Sequence, residues 1–354
     1  MSDFTLIVAG DPQQLTGGYI YDARIVDALR DQGWSIDVVG LSGRFPEPDA
    51  VASHALDSAL TALPDGSRAV IDGLAMGGLP AIVERHATRL SITALVHHPL
   101  ADETGLGSPE QQRFRISETR ALAAVDRVIV TSAYTAHRLA DFEVPAAKIA
   151  VIEPGVHRGE LSEPGGDTPR LLCVATVTPR KGQDLLVDAL AQLAALPWQC
   201  DLVGALDRAD HYVETVRRKI ADSDLTNRVH LLGSQSPEQL TQHYRTADLF
   251  VLPSHYEGYG MVITEALAHG LPVVTTTGGA LSHTLPDEAG IKVPPGDVDA
   301  LRNALERMLA EPEATQAYRD SARRIRETLH DWPAAARAFG ESLQRSAPVE
   351  ESNP

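Results

Sequence analysis

The sequence predicts an α/β protein made of two successive parallel-sheet units. Short β-branched apolar runs alternate with amphipathic helical patterns nearly throughout, as expected when parallel strands are joined through helices. The chain has 354 residues, too many for one small core and suited to two domains of ordinary size. Near the middle, residues 157–169 are rich in Pro, Gly and acid and carry no period, so they read as an interdomain linker.

The strand candidates follow in order. In the first half they are 5–9, 35–39, 69–71, 93–97, 127–131 and 149–152. Helical patterns lie between them, such as 19–32 with apolar Ile20, Ala23, Val26, Ala28 and Leu29. In the second half the strands are 170–175, 199–203, 229–232, 249–252, 273–276 and 291–293. The domains are therefore expected at 1–156 and 170–334. The last helical segment, 335–354, begins just after Trp332-Pro333, and the tail after Ala347 is expected to be disordered.

Composition narrows the function class. Hydrophobic residues make up 43% and charged residues 22%, the balance of a globular protein. No apolar run approaches the roughly 18 residues of a membrane span. Met1-Ser2-Asp3-Phe4 leads straight into a strand without a basic region, so no signal peptide and a cytoplasmic location are expected. A net charge of −17 argues against nucleic acid and anionic membranes as partners, but leaves room for a local basic pocket. Cys173 and Cys200 fall in apolar strand runs and read as isolated buried thiols. The groups Arg217-Arg218-Lys219 and Arg323-Arg324-Arg326 read as solvated helix faces.

Two segments carry chemistry. In the run from Ser254 to Val274, Glu257 and Glu265 bracket Gly258-Tyr259-Gly260-Met261-Val262, a glycine-aromatic-glycine turn leading into a short helix. Eight residues spread along a helix cover roughly 12 Å, about the length of a sugar joined through two phosphates to a ribose. Carboxylates accept hydrogen bonds from sugar hydroxyls, and glycines let backbone N–H groups approach a phosphate at a helix start. The other segment, Cys173 to Leu186, is a strand, a turn holding Arg180 and Lys181, and a helix. A lysine there can neutralise a diphosphate leaving group.

These strings resemble the Glu-x7-Glu signature and the Lys-Gly phosphate-binding turn of retaining glycosyltransferases of the GT-B fold, in particular glycosyltransferase family 4. The resemblance implies two Rossmann-like domains facing across an interdomain cleft, with the last helix crossing back onto the N-terminal domain. Lys181 takes the place of the family lysine. Ala175-Thr176 stand where many members have Gly-Arg, so Thr176 is left as a hydrogen-bond donor, and Arg180 either supplies the missing charge or points to solvent. Gly17 and Gly18, in the loop after the first strand, match a glycine pair near the donor phosphates or sugar. Neighbours on a strand point opposite ways, so one of His97 and His98 is expected to face the cleft; the resemblance implies a histidine at the end of the fourth strand, and His97 is chosen for it. Gly233-Ser234 match a turn bordering the nucleobase. Thr131-Ser132-Ala133-Tyr134 read as a cleft edge or a helix cap, and Asp297-Val298-Asp299 as capping rather than a metal motif.

The function implied is a retaining, metal-independent transferase with no cofactor. It would move a hexose-type sugar from a UDP- or GDP-linked donor to a hydroxyl acceptor by a front-face mechanism. His97, Lys181 and Glu257 would be catalytic and Glu265 would bind the ribose. The donor would also meet Gly17, Gly18, Thr176, Arg180, Gly233, Ser234, Gly258, Tyr259, Gly260, Met261 and Val262. A GT-B nucleotide-sugar epimerase and a non-catalytic GT-B scaffold are the alternatives.

Overall fold

The structure, a computed structural model, describes residues 2–14, 16–163, 165–166 and 168–345, so the tail after Ala347 lies outside the described residues. The chain divides into two compact units, Met1–Gly155 with Trp332–Pro354, and Val156–Asp331. Each unit holds a six-stranded parallel sheet.

In the first unit the strands are β1 (Phe4–Ala9), β2 (Ile36–Leu41), β3 (Arg68–Asp72), β4 (Ser91–Val96), β5 (Arg127–Val130) and β6 (Ile149–Val151), in the order β2-β1-β3-β4-β5-β6. β1 is buried along its whole length, as a parallel strand covered by helices on both faces must be. Ile7, Leu56, Ile71, Val83, Ile92 and Val128 share one core. The last helix, Trp332–Gln344, belongs to this unit. Phe339 is 1% exposed with its ring 6.2 Å from Phe4, and a Cβ on Gly340 would stand 2.6 Å from the Trp34 ring. Trp332 stacks edge-on to Tyr21, and Gln32 Nε2 donates to the Pro333 carbonyl.

The second unit repeats the scheme with β7 (Arg170–Val174), β8 (Gln199–Val203), β9 (Val229–Gly233), β10 (Leu249–Leu252), β11 (Val273–Thr276) and β12 (Gly290–Val293), ordered β12-β11-β10-β7-β8-β9. Cys173 and Cys200 lie on neighbouring strands as buried free thiols. All the strands expected from the sequence are present within two residues of their expected ends. In each sheet the order reverses once, between β1 and β3 and between β7 and β10. Such a reversal opens a crevice at the strands' carboxyl ends, because the loops on either side leave in opposite directions.

Two expectations are corrected. The first helix begins at Gly17 rather than at 19, so Gly17 and Gly18 form its first turn instead of belonging to the preceding loop. The described part of the segment read as a linker is fastened to the second unit. Ser162 is 1% exposed, its N–H donates to the His269 carbonyl, and its hydroxyl accepts from Arg319 Nη1 at 3.0 Å. Arg326, read as part of a solvated face, donates to the carbonyls of Gly159 at 2.8 Å and Ala268 at 2.7 Å. The Gly159 carbonyl of this strap is thus answered by Arg326 of the helix Pro312–Arg326, and the Glu160 carbonyl by His269 Nδ1 at 2.7 Å.

Truncating Phe339→Ala should destabilise the first unit by about 3–5 kcal/mol, since it opens a cavity under a fully buried ring. Urea denaturation followed by far-UV circular dichroism should show unfolding of the first unit moving to lower urea.

Candidate active site

The second unit's site lies at the β7/β10 reversal. After β7 the chain makes a short turn, Pro179–Lys181, and Gly182 at φ +68° starts the helix Gln183–Ala191. A Cβ on Gly182 would stand 2.4 Å from the Pro253 carbonyl oxygen, so only glycine lets this turn close on the end of β10. The contact is locked by the His255 N–H, which donates to the Arg180 carbonyl at 2.8 Å.

The same approach brings two cations onto Glu257. Lys181 Nζ donates to Glu257 Oε1 at 2.5 Å, Ser254 Oγ donates to the same oxygen at 2.7 Å, and Arg180 Nη1 reaches Oε2 at 3.3 Å and the Tyr256 carbonyl at 2.8 Å. Glu257 is 7% exposed. Burial works to raise its carboxyl, but the charges of Lys181 and Arg180 and the hydrogen bonds from Lys181 and Ser254 outweigh it and hold the pKa down at about 2. Burial lowers Lys181, with Glu257 opposing and Arg180 adding to the fall. Arg180 is thus turned onto the carboxylate, which decides between the two orientations the sequence left open.

The loop carrying Glu257 is sewn to the end of β11. Glu257 N–H donates to the Gly278 carbonyl at 3.3 Å, its carbonyl accepts from Ala280 N–H at 2.8 Å, and Thr276 Oγ1 donates to the Ser254 carbonyl. Gly279, at φ +64°, runs so close that a Cβ there would stand 2.3 Å from the Glu257 carbonyl oxygen. The sequence reading missed Ser254, Thr276, Gly278 and Gly279; a glycine pair directly after an apolar strand was the available signal. Gly258, Tyr259 and Gly260 form a half-buried turn, Tyr259's carbonyl accepts from Thr284 Oγ1 at 2.6 Å, and Gly260 at φ +88° caps the helix Met261–Ala268. Met261 and Val262 therefore head a helix whose first N–H groups face out of it. Because the helix begins only at Met261, the expected 12 Å helical spread from Glu257 to Glu265 does not hold. Glu265 is half-buried on that helix and accepts from Tyr244 O–H at 2.8 Å.

Thr176 is half-buried, and its carbonyl accepts from Gln183 Nε2 at 3.1 Å. Gly233 closes β9 at φ +71° and accepts from Gly204 N–H, with Ser234 exposed beside it. β9 is an edge strand separated from β7 by β8, so these two residues sit farther along the sheet's carboxyl edge than the Glu257 cluster. Asp297 Oδ1 accepts from Ala300 N–H at 2.8 Å and caps the helix Val298–Ala310.

The first unit assembles a second cluster at its own reversal. His97 follows β4, and its ring lies against the glycine turn: a Cβ on Gly18 would stand 3.0 Å from His97 Cδ2. Its Nε2 is 3.1 Å from Asp22 Oδ1, and Tyr21 meets the ring edge-on at 5.4 Å. His98 turns elsewhere, with Nε2 3.1 Å from Glu103 Oε2. Asp72, the last residue of β3, is 5% exposed and accepts from Leu74 N–H. Burial pushes the Asp72 carboxyl up to about 7, with His97 pulling against it and Asp22 adding to it. Burial opposes a charged His97, yet Asp22 and then Asp72 carry its pKa above the ordinary value. Behind this cluster the Glu118 carboxylate accepts from the N–H groups of Leu100 and Ala101, fixing the turn after β4. Ser132 accepts from Thr135 N–H, so the 131–134 segment is a helix cap. Asp22 and Asp72 were not legible as site residues, since single acids on a helix and at a strand end carry no spacing signal.

Replacing Asp22→Asn should drop the His97 pKa from above its ordinary value to below it, because burial then faces Asp72 alone. Histidine ring NMR titration, with His97→Asn as the assignment control, reads this directly. A raised histidine stabilises most below its ordinary pKa, and that contribution fades as pH rises through the raised value. The variant should therefore lose about 1.5–3 kcal/mol of stability near pH 6, and less at about pH 9.

Two families match successive parts of this chain. The family described as Glycosyl transferases group 1 matches residues 161–325, and Glycosyltransferase Family 4 matches residues 48–159. The GDP-mannose-dependent alpha-(1-6)-phosphatidylinositol monomannoside mannosyltransferase of Mycolicibacterium smegmatis is 32% identical over 213 residues, covering 54% of this chain and 55% of that protein. The D-inositol 3-phosphate glycosyltransferase of Nocardia farcinica is 31% identical over 204 residues, covering 51% and 44%. The chain thus spans about half the length of these curated relatives. Among solved structures, sucrose-phosphate synthase from Thermosynechococcus elongatus matches with a TM-score of 0.80 at 23% identity, over 96% of this chain and 98% of that one. Anabaena HepE in complex with UDP and glucose matches at 0.74 and 19%, over 96% and 99%. Glycosyltransferase Family 4 thus matches within the first half of the sequence and Glycosyl transferases group 1 within the second, and the chain shares the GT-B fold of these solved structures.

Proposed function

We propose that this protein is a retaining, metal-independent glycosyltransferase that moves a hexose-type sugar from a nucleotide-diphosphate donor to a hydroxyl acceptor. The observation that carries this reading is the cluster in which Lys181, Arg180 and Ser254 converge on the buried Glu257. Two cations beside the outward-facing N–H groups of a helix start suit a diphosphate. A carboxylate held ionised among them suits sugar hydroxyls. A diphosphate would offer the cations a second anion, and Glu257 would stay beside them while accepting from the sugar hydroxyls.

In the reaction the bond between the anomeric carbon and the phosphate oxygen breaks, and the acceptor oxygen bonds to that carbon on the same face. The acceptor's proton passes to the leaving diphosphate, whose charge Lys181 and Arg180 neutralise. Glu257 would hold the transferring sugar, and Glu265 would accept from the ribose hydroxyls. His97, held by Asp22, would orient the sugar. UDP and GDP are the favoured carriers: the mycobacterial relative is named for GDP-mannose, and HepE was solved with UDP and glucose.

A thermal-shift panel of UDP, GDP, ADP and TDP tests the donor side, since a ligand of the folded state raises its stability. One diphosphate, at about a hundred times its Kd, should stabilise the protein by about 2.7 kcal/mol. Lys181→Ala and Glu265→Ala should each lose most of that shift. No shift with any diphosphate at millimolar concentration would overturn the reading in favour of a scaffold. Pairing the stabilising nucleotide with its hexose conjugates and following nucleoside diphosphate release then separates transfer from epimerisation.

A further inference from the structure

Tyr244 lies outside the Glu257 cluster, on the helix Pro237–Thr246 that precedes β10, and has no place in the chemistry set out above. It is 2% exposed, yet its hydroxyl is not spent on the core: it donates to Glu265 Oε2 at 2.8 Å. The ring packs against two others. It stacks on Phe250 of β10 with centroids 5.9 Å apart, and on His269 at 4.9 Å with the planes within 3° of parallel. His269 is itself fixed, its Nδ1 lying 2.7 Å from the Glu160 carbonyl oxygen on the strap. The phenol therefore has no freedom to follow Glu265; the carboxylate must come to it.

We propose that Tyr244 is a positioning residue, holding the Glu265 carboxylate in the orientation that receives the ribose hydroxyls of the donor. The inference rests on the reading of Glu265 as the ribose ligand. A glutamate on a helix surface samples several rotamers, and ordering it on binding lowers affinity. The hydrogen bond from Tyr244 does that ordering beforehand. An ionised carboxylate offers about four acceptor positions, so a bond from Tyr244 is compatible with a diol bonding the same group. Burial, and next the Glu265 charge, hold the Tyr244 hydroxyl far above its ordinary pKa, so it remains a donor at all working pH values.

The test is isothermal titration of the wild type and Tyr244→Phe with the stabilising nucleoside diphosphate and with its 2′,3′-dideoxy analogue. Phenylalanine keeps both stacking contacts, so the fold should hold. The expected result is a wild type that prefers the ribonucleotide, and a variant whose affinity for it falls up to roughly tenfold, the cost of ordering one rotamer-rich side chain on binding. Affinity for the dideoxy analogue should not change, and Tyr244→Phe added to Glu265→Ala should cost nothing further. Unchanged ribonucleotide affinity in the variant, or an equal loss for both ligands, would overturn the proposal and leave Tyr244 a packing residue. A wild type that binds both ligands equally would overturn the ribose role of Glu265 itself, and with it this inference.

Discussion

The buried contact between Glu257 and Lys181 is the constraint on which the second unit's site is arranged. An ionised carboxylate that is 7% exposed survives only with its charge answered and its lone pairs filled, and removing one partner of such a pair typically costs about 3–5 kcal/mol. The two residues come from loops after β7 and β10, which are neighbours in the sheet though far apart in sequence. For the side chains to meet, the loops must nearly touch, and the glycines occur where they do so. Gly182 lies against the Pro253 carbonyl, Gly278 against that of His255, and Gly279 against that of Glu257. A methyl group at any of these would force backbone apart. The charge pair and the glycines are therefore parts of one device.

The first unit solves the same geometric problem with the opposite balance of charge. Its crevice gathers two acids, Asp22 and Asp72, on one histidine, and Gly18 gives that histidine room. The chain's net charge of −17 says nothing about either cluster. What matters is that each sheet delivers a few ionisable groups from strand ends to one small volume, where burial magnifies their mutual effect. Burial also explains why Arg319 and Arg326 of the helix Pro312–Arg326 turn onto the strap, at the Ser162 hydroxyl and the Gly159 carbonyl.

The contribution of Tyr244 shows how a site extends past the groups that would meet a ligand. A short helix can carry Glu265 to the right place but cannot hold its rotamer. That task falls to an aromatic ring packed against Phe250 and His269, and from there the line runs to the strap through the Glu160 carbonyl. The order of the carboxylate is thus tied to packing on the far side of its helix.

The strands were legible because a parallel strand buried on both faces writes a short, continuous apolar run, and twelve such runs stand out. Glu257, Glu265, Lys181 and the glycines between them were legible because their chemistry and spacing lie within single segments. Sequence alone thus determined the fold class and singled out Lys181, Glu257, Glu265 and His97 as candidates; His97 and His98 both lie past the end of β4, so the turn there sends their rings to Asp22 and Glu103. Only the tertiary structure decided that Arg180 turns onto Glu257, that Asp22 and Asp72 flank His97, that Tyr244 holds Glu265, and that 157–163 is a fastened strap. Each of those joins residues from different strands or helices, and no local period records which loops a reversal in strand order will bring together.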